Sequence, residues 1–118
     1  MQRVLPGHYV YVHTDETPGV SSTFNSGLIV TSEGVVVVDA LGSEAIARRV
    51  RAAVDGVTSQ PVRFLISSTF HGPFTGGNVA YHDAFRIGHE NYRLDLMRLL
   101  EKEPPTEQSL KLPQTDVS

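Results

Sequence analysis

At 118 residues the chain has room for one ordinary domain, and its 40% hydrophobic and 19% charged content is that of a globular protein. A net charge of −3, with ten scattered Lys and Arg, gives no basic stripe and so no reason to expect nucleic acid. The absence of cysteine removes disulfides and thiolate metal ligands. No run approaches the roughly 20 apolar residues of a membrane helix, and the stretch from Met1 to Gly7 is not apolar enough for a signal peptide. A cytoplasmic protein with no membrane partner is the expectation.

In chain order, His8 to His13 reads as a first strand, rich in aromatic and β-branched residues. A turn-rich loop, Asp15 to Gly19, follows. Gly27-Leu28-Ile29-Val30-Thr31 and Val35-Val36-Val37-Val38 then flank Ser32-Glu33-Gly34, the pattern of a β-hairpin. Four consecutive valines suit a strand buried on both faces. Ser43 is a natural N-cap, with Glu44 complementing the helix dipole and standing four residues before Arg48. Ile46, Val50, Ala53, Val54 and Val57 fall at helical spacing, and Gly56 marks the stop.

Val62 to Ser67 reads as the next strand, and Thr69 to Gly77 as a loop that leads to a short helical turn ending at Tyr81. Phe85-Arg86-Ile87-Gly88 is a brief strand. A second helix opens near Asn91 and ends before Pro104-Pro105. Residues 1–103 form the expected domain, and 104–118 a polar, Pro-containing C-terminal tail. The order of strands and helices predicts an α/β layer, a mixed sheet with helices on one face.

Three segments carry a family likeness. They are Asn25-Ser26-Gly27 with the hairpin ending Val37-Val38-Asp39, Thr69-Phe70-His71-Gly72-Pro73-Phe74-Thr75-Gly76-Gly77-Asn78, and Ile87-Gly88-His89-Glu90-Asn91. In order and spacing, over roughly residues 8–102, the chain resembles the N-terminal half of the metallo-β-lactamase superfamily. The resemblance implies one half of a four-layered αββα sandwich.

It also implies a metal loop of the form His-x-His-x-Asp-His, whose imidazoles and carboxylate hold zinc and leave a site open for water. Such water becomes a hydroxide nucleophile near neutral pH. Here the first His position is Thr69, the second is His71, the Asp position is Pro73 and the last His is Phe74. One ligand of four remains, so no bound zinc or other cofactor is expected of this chain alone. His71 is the candidate catalytic base. Thr69, His71, Pro73 and Phe74, with the strand-end Asp39, form the candidate binding loop. His82-Asp83 and His89-Glu90 have no fixed metal-ligand spacing and are read as surface or capping residues.

The family's remaining ligands belong to its second half. Half a sandwich leaves one sheet face uncovered, so a homodimer through that face is expected, or a separate chain that supplies the missing half. The reading that follows is a non-catalytic binding or structural subunit, a pseudoenzyme. A split metal-dependent hydrolase, with a partner chain supplying ligands for zinc, is one alternative. A metal-free enzyme reusing the old cleft is another. Any activity would be that of a hydrolase of this superfamily.

Overall fold

The structure, a computed structural model, describes residues 1–15 and 22–102. The loop expected after Asp15 and the tail 104–118 lie outside the described residues. Six strands form one sheet whose spatial order is the order of the sequence: β1 (Gln2–Leu5), β2 (His8–Asp15), β3 (Ser22–Thr31), β4 (Gly34–Val38), β5 (Val62–Ser67) and β6 (Phe85–Gly88). The first four pair antiparallel, and β4–β5 and β5–β6 pair parallel. The parallel pairs require crossovers. The first carries α1 (Glu44–Asp55); the second carries α2 (Gly72–Thr75) and a 3-10 turn (Asn78–Tyr81). Helix α3 (Glu90–Lys102) follows β6.

Local chemistry accounts for most of these bounds. Thr31 pairs with Gly34 across the β3–β4 turn, and the Thr31 hydroxyl donates to the Gly34 carbonyl at 2.6 Å. Gly34 has φ 133°, a conformation that L side chains avoid. Helix α1 starts where Ser43 Oγ accepts the Ile46 amide at 3.2 Å and stops at Gly56. The Glu44–Arg48 pair closes at 2.7 Å on its exposed side. One strand was not anticipated. Gln2–Leu5 is exposed along its whole length, so it carries no burial pattern to read.

The core lies on one face of the sheet. Ala47, Val50 and Val54 of α1 pack on Val35 and Val37 of β4, Leu28 of β3 and Leu65 of β5. Arg51 fastens α1 to the end of the second crossover through paired bonds to Asp83 at 2.6 and 2.8 Å and one to the Ala80 carbonyl. The Arg51 hydrogen bonds hold the Asp83 carboxyl below the usual carboxylate range. Tyr81 is fully buried beneath this guanidinium, 5.2 Å from ring to charge, and burial pushes its phenol far up.

The opposite face has no helix over it among the described residues. A β-bulge in β5 at Arg63 resets the pairing, so that Leu65 points into the core and Phe64 away from it. Cross-strand partners share a face, and two rows run across the sheet on that side. Leu5, His8, Ile29, Val36, Phe64 and Phe85 form one; Val10, Gly27, Val38, Ile66 and Ile87, with the exposed Gln2 at the β1 end, form the other. Phe64 is 39% exposed and Phe85 47%, their rings edge to face at 6.4 Å. The four valines of β4 thus divide: Val35 and Val37 are wholly buried, while Val36 and Val38 are half-buried on the uncovered side.

Removing a core side chain should show the difference between the faces. Leu65→Ala should lower stability by about 2–5 kcal/mol in urea unfolding. The Asp83 pair gives a pH signature. Because its pKa is lowered on folding, its contribution is present above about pH 4, the unfolded value, and fades as pH falls through the folded one. Asp83→Asn should flatten that acid limb of the stability profile.

Candidate functional site

The candidate residues gather where β4, β5 and β6 end, the side of a parallel sheet on which open α/β folds place their sites. Asp39 leaves β4 at φ 65° and Leu41 follows at φ 67°, two left-handed residues that turn the chain towards α1. Asp39 Oδ1 accepts the Ser68 amide at 2.8 Å and Oδ2 the Ser68 hydroxyl at 2.5 Å. The carboxylate is 8% exposed, so it ties the end of β4 to the loop leaving β5 with both oxygens engaged. It makes no bond to the Ser43 turn among those observed.

From Ser68 the loop passes Thr69, Phe70 and His71 into α2. Thr69 Oγ1 lies 2.6 Å from His71 Nδ1 and also accepts the His71 amide at 3.4 Å. The His71 ring is exposed and stacks on Phe70 at 4.5 Å. Pro73 stands at the start of α2, where its fixed φ suits the first turn and its missing N–H leaves no orphan donor. Phe74 is half-buried, its ring edge to face with Phe24 at 5.4 Å. Thr75 is buried, and its hydroxyl donates to the Phe70 and His71 carbonyls at 3.3 and 3.1 Å.

Gly77 is the position with no freedom. A Cβ there would lie 2.4 Å from the Ala40 carbonyl oxygen and 2.8 Å from Ala47 Cβ. Its amide donates to the Leu41 carbonyl at 2.7 Å. Beneath it, Asn78 is buried, its Nδ2 within 3.1 Å of the Tyr92 hydroxyl and 3.4 Å of Ser67 Oγ. Burial pushes the Tyr92 phenol up. This Ser67–Asn78–Tyr92 cluster joins β5, the turn after α2, and α3, and no residue spacing signals it.

The donor set does not suit zinc. Thr69 offers a hydroxyl already engaged with His71, Pro73 has no side-chain donor, and Phe74 turns an apolar ring to Phe24. His71 remains as a single imidazole, and Asp39 has both oxygens occupied by Ser68. Among the described residues no group of three or more His, Cys, Asp or Glu converges. His89, next along, takes the Asn91 amide on Nδ1 at 3.0 Å, a capping contact. His8 contacts the Pro6 carbonyl at 2.9 Å, on the far side of the molecule's first hairpin.

The loop does wall a cavity. A half-open cleft of about 360 Å³ is lined by His13, Ser22, Phe24, Leu41, Ser43, Ile46 and Pro73, so α2 presents Pro73 to a mixed, mainly apolar surface. A wider, open hollow of about 690 Å³ lies by Arg63, Phe64, Asp83 and Phe85, near the starts of β5 and β6 and away from this loop.

Comparison with solved structures places the fold. The chain superposes on the metallo-β-lactamase of Pontibacter korlensis with a TM-score of 0.76 at 16% identity, covering 99% of this chain and 50% of that one. The Hirschia baltica metallo-β-lactamase gives 0.73 at 17%, over 89% and 48%. FIM-1 of Pseudomonas aeruginosa, in its mono-zinc form, gives 0.74 at 12%, over 90% and 47%. No family model and no curated protein matches the sequence. The chain therefore has the metallo-β-lactamase fold, and spans about half the length of the solved structures it matches.

Two substitutions separate backbone constraint from side-chain filling here. Gly77→Ala should cost about 3 kcal/mol or more, since a carbonyl oxygen blocks the new methyl. Phe74→Ala should cost about 1–3 kcal/mol, less than a fully buried phenylalanine. Chemical unfolding of the two variants side by side checks the order.

Proposed function

We propose that this chain is a non-catalytic binding or structural protein of the cytoplasm, a pseudoenzyme that holds no zinc and works as a homodimer through its uncovered sheet face. One observation carries the reading: the two apolar rows that cross the sheet opposite the helices. With strands about 4.8 Å apart and about 3.3 Å per residue, the two rows cover on the order of 400 Å² of that face. An apolar patch of this size falls within the range of the largest patch on a typical soluble monomer, which is often functional. Two copies would remove about 800 Å² from water through these rows alone, the size of a weak specific contact. A second copy would lay a like-sized apolar face on this one, the self-complementary contact of a two-fold dimer.

The changed loop supports the non-catalytic part. Thr69, Pro73 and Phe74 replace charged or ligating groups with engaged or apolar ones, and the cleft beside Pro73 is suited to hold a molecule without hydrolysing it. No helix among the described residues is long and apolar enough to cross a membrane.

Two measurements test this. Light scattering at low micromolar concentration should give twice the chain mass, and Val36→Asp, which places a charge on the uncovered face, should unfold the protein or abolish the dimer. Elemental analysis after dialysis should find far less than one zinc per chain. A folded monomer would overturn the dimer, and stoichiometric zinc lost on His71→Ala would overturn the pseudoenzyme.

A further inference from the structure

Gly27 lies in the middle of β3, an interior position where glycine weakens a strand. Neither of glycine's usual reasons applies within the chain. Its φ is not in the left-handed region, and a Cβ added there would meet only Val38, at an ordinary 3.5 Å. The missing side chain nevertheless leaves a hollow in the uncovered face, flanked by Val10 and Val38. Glycine in a strand also marks places where another body approaches closely.

The same face is uneven in a systematic way. Its β5–β6 side carries Phe64, Ile66, Phe85 and Ile87, while its β2–β3 side carries His8, Val10, Gly27 and Ile29. Between them lie Val36 and Val38 of β4. None of these residues is Asp, Glu, Lys or Arg, so a second copy meets no like-charge penalty.

We infer that the hollow at Gly27 receives Ile66 of a second copy, in a dimer whose two-fold axis runs along β4, parallel to the strands. This rests on the homodimer proposed above and assigns its geometry. Rotation about that axis lays β5 over β3 of the other copy and β6 over β2. Bulk then meets hollow: Ile66 over Gly27, Ile87 over Val10 and Phe85 over His8, with Val36 and Val38 each against itself. An axis across the strands would instead set the β5–β6 side against its own bulk and hold the β2–β3 sides apart. Packed sheets keep a nearly constant separation of about 10 Å, which favours the first arrangement.

The cysteine-free chain makes the test clean. Single cysteines are introduced into the full chain and treated with a bismaleimide that reaches about 10 Å, the distance between packed sheets. Val36→Cys should crosslink to itself. Phe85→Cys should not, but should crosslink when mixed with His8→Cys. In parallel, Gly27→Leu should remain folded by circular dichroism while its dimer dissociation constant rises about tenfold to 100-fold. Adding Ile66→Ala should recover most of that loss, a rescue that mere destabilisation of β3 would not give. Self-crosslinking of Phe85→Cys, or a folded Gly27→Leu that dimerises unchanged, would overturn the arrangement while leaving the dimer standing. A monomeric parent chain would overturn the dimer itself. Should Gly27→Leu fail to fold, the crosslinking pattern decides alone.

Discussion

The packing of α1 on β4 governs the rest of the molecule. Ala47, Val50 and Val54 share one buried cluster with Val35 and Val37, and that cluster marks which face of the sheet is interior. It also sets the height at which the β4–α1 loop passes over the sheet end. There Ala40 and Ala47 come so close to Gly77 that only a hydrogen fits between them. The candidate site is therefore located by core packing, with Gly77 as the point of closest approach.

The loop itself is held by bonds that involve no metal. Asp39 grips Ser68, Thr75 ties back to two carbonyls, and Gly77 is bonded to Leu41. These tethers use a carboxylate, backbone groups and small hydroxyls, and none uses a side chain of the four positions at which the family resemblance places ligands. The loop's path is thus set by contacts that do not involve the side chains of Thr69, Pro73 and Phe74.

Much of this architecture is legible in the residues. Ser43 and Gly56 bracket α1 as caps should, and the strands Val62–Ser67 and Phe85–Gly88 stand where their apolar runs end. Three things were not legible, each for a physical reason. Strand Gln2–Leu5 forms by edge pairing alone and buries nothing, so it has no alternation. Helix α2 is one turn long, too short for a periodic signal, although Pro73 marks its start. The division of Phe64 from Leu65 depends on the bulge at Arg63, and a bulge is a property of the pairing rather than of either strand. Within the site, the loop residues could be named from their family likeness. The Asp39–Ser68 bond spans 29 residues, and no spacing rule reports it.

The strand order carries a kinetic consequence. Among the described residues every strand hydrogen-bonds to its immediate neighbour in the sequence, from β1 through β6, with no strand inserted between two earlier ones. Each new strand adds to an edge that its predecessor has just completed, so the loops that must close are short or filled by a helix. Topologies of this kind keep their antiparallel pairs local and leave the parallel pairs β4–β5 and β5–β6, which close across crossovers, as the slower steps. They also suit a chain emerging from the ribosome, since no segment must wait for a distant one before it can pair.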